Sequence, residues 1–432
     1  MSIEKKISPW VWIPSLYFAE GVPYFLVNNI SVVMFKNMGM PNGMLALYTS
    51  LLYLPWVIKP LWSPFVDIIR SKRWWILSMQ VLMSAAMLLL PFVLPHGDGA
   101  GFASAPLFYI TLGLFWITAF ASATHDIAAD GFYMLALEHG DQSGFVGIRS
   151  TFYRFSSIFG QGVLVAAAGL IETRTSDVHL AWKITLSASA LMFAVLTLYH
   201  TWKLPRPAAD RMACGKGPCE IIADFGRTFS TFFRKRHVAA ALAFMLLYRL
   251  PEAFLVKMMN PFLLDAASEG GLGLQTEEVG LIYGTIGVAA LTAGGILGGL
   301  AAARFGLRKS LWPMALSLTL PCLSFVFLAA FLPSSLWLIT LCIALDQFGY
   351  GFGFTAYMLY LIYFSEGEFK TAHYSLCTAF MALSMMLPGM IAGYAQELLG
   401  YTGFFIMVML CCLVTVFVTF LLKVEPEYGK RK

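Results

Sequence analysis

The sequence contains twelve long apolar segments that follow one another with only short polar breaks. Each is long enough for a helix that crosses the bilayer, which needs about 20 mainly apolar residues. Only 12% of the residues are charged, against roughly 25% in an average soluble domain. The predicted fold is therefore an all-α membrane protein. Its twelve predicted transmembrane helices cover residues 10–35, 44–67, 74–95, 105–137, 144–171, 180–202, 238–264, 277–303, 310–332, 335–364, 371–396 and 401–422.

The basic residues predict how these helices are oriented, because cytoplasmic loops of membrane proteins are enriched in Lys and Arg. With both termini in the cytoplasm, 21 of the 29 basic residues fall in cytoplasmic segments and 5 fall within spans. Only Lys36, Arg174 and Lys183 fall on the opposite side. We therefore expect both termini to be cytoplasmic.

The longest polar stretch divides the chain into two halves that resemble each other. We expect an N-terminal six-helix bundle at residues 1–203, a cytoplasmic linker at 204–236 and a C-terminal six-helix bundle at 237–432. The motifs FAEGVPY in span one and YRLPEAF in span seven interrupt the two halves at comparable depths. Interrupted spans in corresponding places of two repeats point to the central site of a transporter. Two pseudo-symmetric bundles of this kind resemble the layout of the major facilitator superfamily.

Seven sequence blocks, in order along the chain, resemble the AmpG-type muropeptide permeases of the peptide/acetyl-CoA transporter family. They are FAEGVPYFLV, IKPLWSPFVD, FASATHDIAADGF, LYRLPEAF, EEVGLIYGTIG, GYGFGFTAYMLYL and LPGMIAGY. The resemblance implies a proton-driven importer of anhydromuropeptides, or of an amino-sugar or glycan disaccharide, in the bacterial cytoplasmic (inner) membrane. The chain departs from the family at Glu20, where a small or hydroxylated residue is usual, and after Asp130, where an embedded basic and acidic pair is missing.

Span four carries the densest group of embedded polar residues, in ASATHDIAADGFY. Asp126 and Asp130 are four residues apart and share one helical face, which Tyr133 continues. Two carboxylates so close do not both ionise easily, so we expect Asp126, Asp130 and Glu20 to include the proton-coupling group. The alternative is that the two aspartates are structural partners of Arg149 or Arg154. Snorkelling to water is a further alternative for Arg149.

Further embedded polar residues are candidates for substrate binding. A guanidinium holds its charge and forks onto a carboxylate, so Arg154 is suited to an acidic substrate group. A buried Lys needs a counter-ion or a lowered pKa, so Lys59 in span two is a candidate contact for a travelling anion, with snorkelling to water as the alternative. Arg249 and Glu252 flank Pro251 in span seven, either as an internal ion pair or as a pair that exchanges partners during transport. The complete predicted substrate-binding set is Lys59, Arg154, Gln161, Tyr133, Arg249, Glu252, Lys257, Asp346, Tyr350 and Tyr357, with packing as the alternative for the tyrosines of span ten.

Basic cytoplasmic loops follow spans two and eight, and a small residue and an Asp precede the first of them in SPFVD. An Asp in this place can pair with basic groups in one conformation only. We therefore predict gating roles, with a loop that merely fixes topology as the alternative. The predicted gating residues are Asp67, Arg70, Arg73, Arg304 and Arg308.

Several function classes lack a sequence signal. No phosphate-binding G-x-x-x-x-G-K-[ST], HExxH or GxSxG motif occurs, so we expect no ATP-driven pump and no enzyme. We expect no cofactor and no metal site, because Cys214 and Cys219 lack a second pair of ligands nearby. The expected partners are a small-molecule substrate and the lipid bilayer, without nucleic acid, and the expected state is a monomer. An exporter of drugs or siderophores, or a membrane-embedded acyl- or glycosyltransferase, is the alternative.

Overall fold

The computed structural model describes residues 7–96, 106–137, 139–207, 210, 218–367, 370–425 and 428, and every regular element in these ranges is a helix. Helices are the expected outcome for apolar segments in a bilayer, because each backbone polar group must be satisfied within the segment. The first ten membrane-spanning helices are α1 (Pro9–Asn37), α2 (Asn42–Leu61), α3 (Lys72–Phe92), α4 (Pro106–Ala136), α5 (Gly147–Thr175), α6 (Val178–Lys203), α7 (Val238–Leu264), α8 (Thr276–Phe305), α9 (Leu307–Phe331) and α10 (Leu336–Ser365).

The last helical stretch, Ala372–Phe420, contains two spans. Its 49 residues would extend about 74 Å as one helix, more than twice the roughly 30 Å thickness of the hydrocarbon core. The backbone of Gly400 is non-helical, with φ 66° and ψ 171°, a conformation that glycine adopts without strain. Residues 372–399 therefore form α11 and residues 401–420 form α12. The prediction of twelve transmembrane helices is confirmed, including the division between the last two.

The predicted interruptions of spans one and seven have different outcomes. In α7 the helix is broken at Tyr248 and Arg249, and Pro251 lies in the first turn of the second segment. In α1 the helix continues through FAEGVPY to Phe25, so the predicted break there is wrong. A π-helical turn at Leu26–Ile30 follows Pro23 instead. Proline has no backbone N–H to donate, and a π-helical turn next to it allows the helix to continue.

Glycine allows two pairs of helices to approach very closely. Facing π-helical segments of α5 and α8 pack together, and a Cβ atom on Gly284 would overlap the backbone of Gln161. At the start of α2, a Cβ atom on Gly393 of α11 would overlap the backbone of Asn42. Small residues at such contacts are the usual basis of tight packing between membrane helices. The first and second halves of the chain are thus joined by two close helix pairs.

The predicted linker contains a helix, Pro218–Phe233, of which Phe232 is buried against Phe364 and Phe380. Cys214 and the side chain of Cys219 lie outside the described residues. The division at residues 204–236 stays a prediction.

Candidate functional site

Three carboxylates from two helices form what we call the acid cluster: Glu20, Asp126 and Asp130. One oxygen from each side chain lies within 4.8 Å of one from each of the others. Asp126 and Asp130 share a face of α4 because they are four residues apart, and α1 packs against this face and contributes Glu20. The structure therefore brings together all three residues predicted to couple protons.

Two cationic side chains pair with the acid cluster. Lys59 Nζ lies 2.6 Å from Asp126 Oδ2, and Arg149 Nη2 lies 2.5 Å from Asp130 Oδ1. The Asp130 side chain is 42% exposed although it lies within a membrane span. Ionised side chains at this depth face other protein groups or a water-filled cavity, and this exposure is consistent with a hydrated cleft. The sequence alternative that pairs an aspartate with Arg149 is confirmed for Asp130, whereas Asp126 pairs with Lys59.

Arg149 is part of this site, which favours the predicted pairing with an aspartate over the predicted snorkelling. Its guanidinium lies 4.5 Å from the ring centroid of Tyr17 and 5.6 Å from that of Tyr133. Cation–π contacts of this kind hold a guanidinium in place. Tyr133 is only 4% exposed. It therefore acts on Arg149 in this structure and does not line an open path for substrate.

Glu20 is the carboxylate of the cluster without a cationic partner. It is 7% exposed, and its Oε2 atom has no hydrogen-bond partner in the part of the chain that the structure describes. Three carboxylates and two cations leave one negative charge if every group ionises. The spacing of the three oxygens would also suit cation ligands, but Lys59 and Arg149 already neutralise two of them.

Three further cations lie inside the protein without a carboxylate partner among the described residues: Arg154, Arg249 and Lys257. Arg154 Nη1 donates to Thr292 Oγ1 at 3.3 Å. Lys257 Nζ donates to Thr49 Oγ1 at 3.1 Å and lies 5.6 Å from the ring centroid of Tyr53. The contacts of Arg154 and Lys257 each join the first half of the chain to the second.

Arg249 lies at the break in α7 and is 6% exposed. It donates a hydrogen bond to the Tyr350 hydroxyl and lies 4.7 Å from the ring centroid of Phe354. No ion pair joins Arg249 to Glu252, both of which the structure describes, so the alternative of an internal ion pair is wrong. The helix break turns the guanidinium toward α10, away from the next turn of its own helix.

The remaining predicted substrate contacts are placed as follows. Glu252 and Asp346 are 1% and 2% exposed, and the Gln347 amide donates to Asp346 at 3.1 Å. Gln161 donates to Ser157 at 2.8 Å within α5. Tyr357 is fully buried and donates to the Met245 carbonyl at 2.7 Å, so it packs α10 against α7.

An aromatic cluster, which sequence reasoning missed, lies between the two groups of charges. The Tyr24 ring lies 5.1 Å from Trp56 and 6.4 Å from both Tyr53 and Tyr153. Tyr53 also contacts Lys257. The signal was present in the sequence, because each of these aromatics lies within six residues of a predicted site residue. Aromatic faces of this kind are suited to stacking on a sugar ring.

A second missed group, which we call the polar lock, joins the two halves near the ends of α1 and α7. Lys36 Nζ lies 2.5 Å from Asp265 Oδ1, and both residues are largely buried. Tyr401 donates to Asp265 at 2.5 Å, and Asn42 donates to Gln396 at 2.8 Å. The signal in the sequence is a pair of opposite charges at the corresponding ends of spans one and seven. The polar lock ties the two halves of the chain together at this end.

The predicted gating residues lie at the opposite end. Arg73 donates to the carbonyls of Thr201 and Leu204 in its own half, and Arg304 lies over Phe305. Arg70 and Arg308 are exposed. No hydrogen bond or ion pair joins these four arginines across the cleft in the part of the chain that the structure describes. The Asp67 side chain lies outside the described residues, and the gating roles stay a prediction.

Twelve membrane helices around a group of embedded charges are typical of a membrane transporter. The sequence profile of the Major Facilitator Superfamily matches residues 15–362. The chain belongs to the major facilitator superfamily and is a multi-pass membrane transporter, not an enzyme.

Relatives with named functions match over most of the chain. An AmpG 4 transporter of Rickettsia felis is 22% identical, over 93% of this chain and 94% of its own length. The anhydromuropeptide permease of Escherichia coli K12 is 22% identical, over 90% of this chain and 75% of its own. Among solved structures, a D-xylose–proton symporter superposes with a TM-score of 0.69 at 12% identity, over 99% of this chain and 100% of its own. The nucleoside transporter NupG superposes with a TM-score of 0.64 at 14% identity, over 96% and 98%. At these identities the superpositions show the fold.

Proposed function

We propose that this protein imports anhydromuropeptides, or related acidic amino-sugar or glycan disaccharides, across the bacterial inner membrane together with a proton. The name of the Escherichia coli relative supports the substrate class. The observation that carries the proposal is the set of embedded charges that have no partner of opposite charge among the described residues. They are Glu20 and Glu252, each with a buried oxygen that accepts no hydrogen bond, and the cations Arg154, Arg249 and Lys257, which contact only neutral groups there.

The proton requirement follows from the charge of the acid cluster. A desolvated carboxylate without a cation is unfavourable, and a bound proton removes its charge. Lys59 pairs with Asp126 and Arg149 pairs with Asp130. Protonation of Glu20 would leave both of these ion pairs intact, so Glu20 is the proposed proton carrier. The proton is the proposed coupling ion, and no other cofactor is proposed.

The substrate requirement follows from the cations. Arg154, Arg249 and Lys257 each lack a carboxylate in the described structure, although burial of an unpaired charge is costly. A substrate that carries a lactyl or peptide carboxylate would supply the opposite charge that these cations lack. The sugar rings would stack on the aromatic cluster, which lies between Lys257 and the acid cluster.

Coupling between proton and substrate would pass through the helices that carry Lys59. The turn Lys59–Leu61 packs against the Ala372–Phe420 stretch of the other half. Because Lys59 pairs with Asp126, a change of charge at Asp126 would alter an ion pair that lies next to the interface between the halves. We propose that the halves rock about this site. With both termini in the cytoplasm, the polar lock would face the periplasm, and this structure would be the state closed to that side.

The test is uptake of radiolabelled N-acetylglucosaminyl-anhydromuramyl disaccharide into proteoliposomes with an imposed pH gradient, acidic outside. We expect the gradient to stimulate uptake by the wild type. Glu20→Gln imitates the protonated acid, so it should lose this stimulation but retain exchange of labelled for unlabelled substrate. Glu269→Gln, which changes an exposed carboxylate, is the control. Wild-type uptake that is indifferent to the gradient would overturn proton coupling.

A further inference from the structure

A chain of buried polar side chains joins four helices of the first half next to the acid cluster. Gln80 of α3 lies between two imidazoles: its Nε2 is 3.0 Å from His125 Nε2 of α4, and its Oε1 is 3.0 Å from His200 Nδ1 of α6. His200 Nε2 lies 3.0 Å from Ser15 Oγ of α1, which lies 3.2 Å from the Trp12 carbonyl oxygen. Gln80, His125 and His200 are at most 1% exposed. None of them was predicted to have a role.

The protons of this chain can be arranged in two ways, because the Gln80 amide can be turned over. If its nitrogen faces His125, then His125 must carry its proton on Nδ1, where that N–H is buried without an acceptor. With the amide turned over, His125 Nε2 donates to Gln80, Gln80 donates to His200, His200 donates to Ser15, and Ser15 donates to the Trp12 carbonyl. This second arrangement gives both imidazole N–H groups an acceptor among the described residues, so it is the more stable one.

The two imidazoles cannot both be doubly protonated, because each would then present a donor to Gln80, and one amide has a single oxygen to accept. The charged groups nearest the chain belong to the acid cluster: Asp126 follows His125 on α4, and Lys59 pairs with Asp126. The histidines therefore serve as fixed hydrogen-bonding groups, and the proton proposed to travel with substrate does not need to reside on them.

The chain ends on the two helices that carry the acid cluster. His125 is adjacent to Asp126 on α4. Ser15 is five residues before Glu20 and two before Tyr17, which stacks on Arg149. We propose that the His125–Gln80–His200–Ser15 chain is a positioning network, which fixes α4 against α1 so that Glu20 stays beside Asp126 and Asp130. This inference rests on the proposed proton coupling.

The test compares two contacts between the same pair of helices. Gln80→Met removes the centre of the network between α3 and α6 with little change in volume. Ser84→Ala removes the 3.0 Å hydrogen bond between Ser84 and Thr197, about one turn further along the same two helices. Both variants are assayed for uptake of the labelled disaccharide in proteoliposomes across a range of external pH.

We expect Gln80→Met to shift the pH of half-maximal uptake by about one unit, which corresponds to a tenfold change in proton affinity, and to leave the KM for substrate unchanged. Ser84→Ala should keep the wild-type profile. A Gln80→Met protein that folds and keeps the wild-type pH midpoint would overturn the positioning role. A wild type without any pH dependence would instead refute the proposed coupling itself.

A second variant keeps the proposal testable if Gln80→Met fails to fold. It combines Gln80→Met with His125→Leu and His200→Phe, so that the three central side chains of the network are all apolar. Replacement of all partners by apolar groups of similar shape is often nearly neutral for stability. This triple variant should show the same shift in pH midpoint. If both variants fail to fold while Ser84→Ala folds, the network is purely structural and the positioning proposal is wrong.

Discussion

At the residue scale, the most informative feature is a buried cation without a counter-ion. A protein selected only for stability would replace Lys257 by an apolar residue. Among the described residues, the desolvation of its ammonium group is offset only by a hydroxyl of Thr49 and the Tyr53 ring. Residues of this kind, buried and ionisable within a membrane span, mark a substrate or ion pathway. The unfavourable burial is thus itself an argument for a role in transport.

Lys257→Met tests this argument, because methionine has a similar length and no charge. We expect the variant to be at least as resistant to thermal unfolding in detergent as the wild type. Its KM for an acidic disaccharide should rise about tenfold or more, since a charge-assisted hydrogen bond contributes roughly 1.5–3 kcal/mol. Thermal-shift and uptake measurements on the same preparation provide both values.

Lys183→Met is the matched control, since Lys183 is exposed and its ammonium group lies 5.4 Å from the ring centroid of Phe92. It should leave KM unchanged. If Lys257→Met also leaves KM unchanged, Lys257 does not contact substrate, and the proposed set of anion-binding cations is reduced to Arg154 and Arg249.

At the scale of the helices, the two π-helical segments of α5 and α8 decide how closely the halves approach. A π-helical segment widens the helix locally and is frequent at functional sites. Here each segment also contains glycine at the point of contact, so the backbones themselves touch. An interface without intervening side chains can separate and close again without repacking of rotamers, which suits halves that rock.

Gly284→Ala should therefore impair transport. The added methyl group would overlap the Gln161 backbone, and overpacking of this kind costs about 1–3 kcal/mol. The added methyl group destabilises the arrangement in which α5 and α8 are in contact, so we expect lower uptake at unchanged expression. Gly299→Ala, on the same helix with open space around it, is the control and should transport normally. Equal activity of the two variants would contradict a role of this contact in closure.

The sequence predicted the helices better than it predicted the contacts between them. Hydropathy and length placed all twelve spans, because each helix must satisfy its backbone on its own within the bilayer. The break in α7 was predictable from its proline. The same reasoning failed for FAEGVPY, where the helix continues past Pro23 into a π-helical turn.

Within the candidate site, spacing along one helix brought Asp126 and Asp130 together. The partners Lys59 and Arg149 come from other helices and depend on packing that periodicity does not encode. The polar lock was missed for the same reason, since Lys36 and Asp265 are far apart in the chain.

At the scale of the whole molecule, the polar lock at one end and the separate arginines at the other describe one state of the proposed alternating-access cycle. The Lys36 end is held shut by side chains from both halves, whereas no described bond joins the arginines at the other end. A transporter must also populate the opposite state, so the free energy of the lock has to be small enough for a bound substrate and proton to overcome.

Asp265→Asn should weaken the closed state, because it leaves the Lys36 ammonium without its carboxylate. Removal of one partner of a buried hydrogen-bonded charge costs about 1–3 kcal/mol or more. We expect faster amide hydrogen exchange at the ends of α1 and α7 and altered uptake, measured by mass spectrometry and in proteoliposomes. Glu269→Gln, at the same end but on an exposed side chain, should change neither.

A charge swap distinguishes an ion pair from a mere packing contact. Lys36→Asp combined with Asp265→Lys restores opposite charges at the same place, although the hydroxyl of Tyr401 must then accept where it now donates. We therefore expect partial recovery of exchange protection relative to either single variant, with a coupling free energy of about 0.5–3 kcal/mol in the double-mutant cycle. If the swapped protein is no better protected than the single variants, the charges do not hold the lock. Closure at this end must then depend on the glycine-lined contacts of α2 with α11 and of α5 with α8.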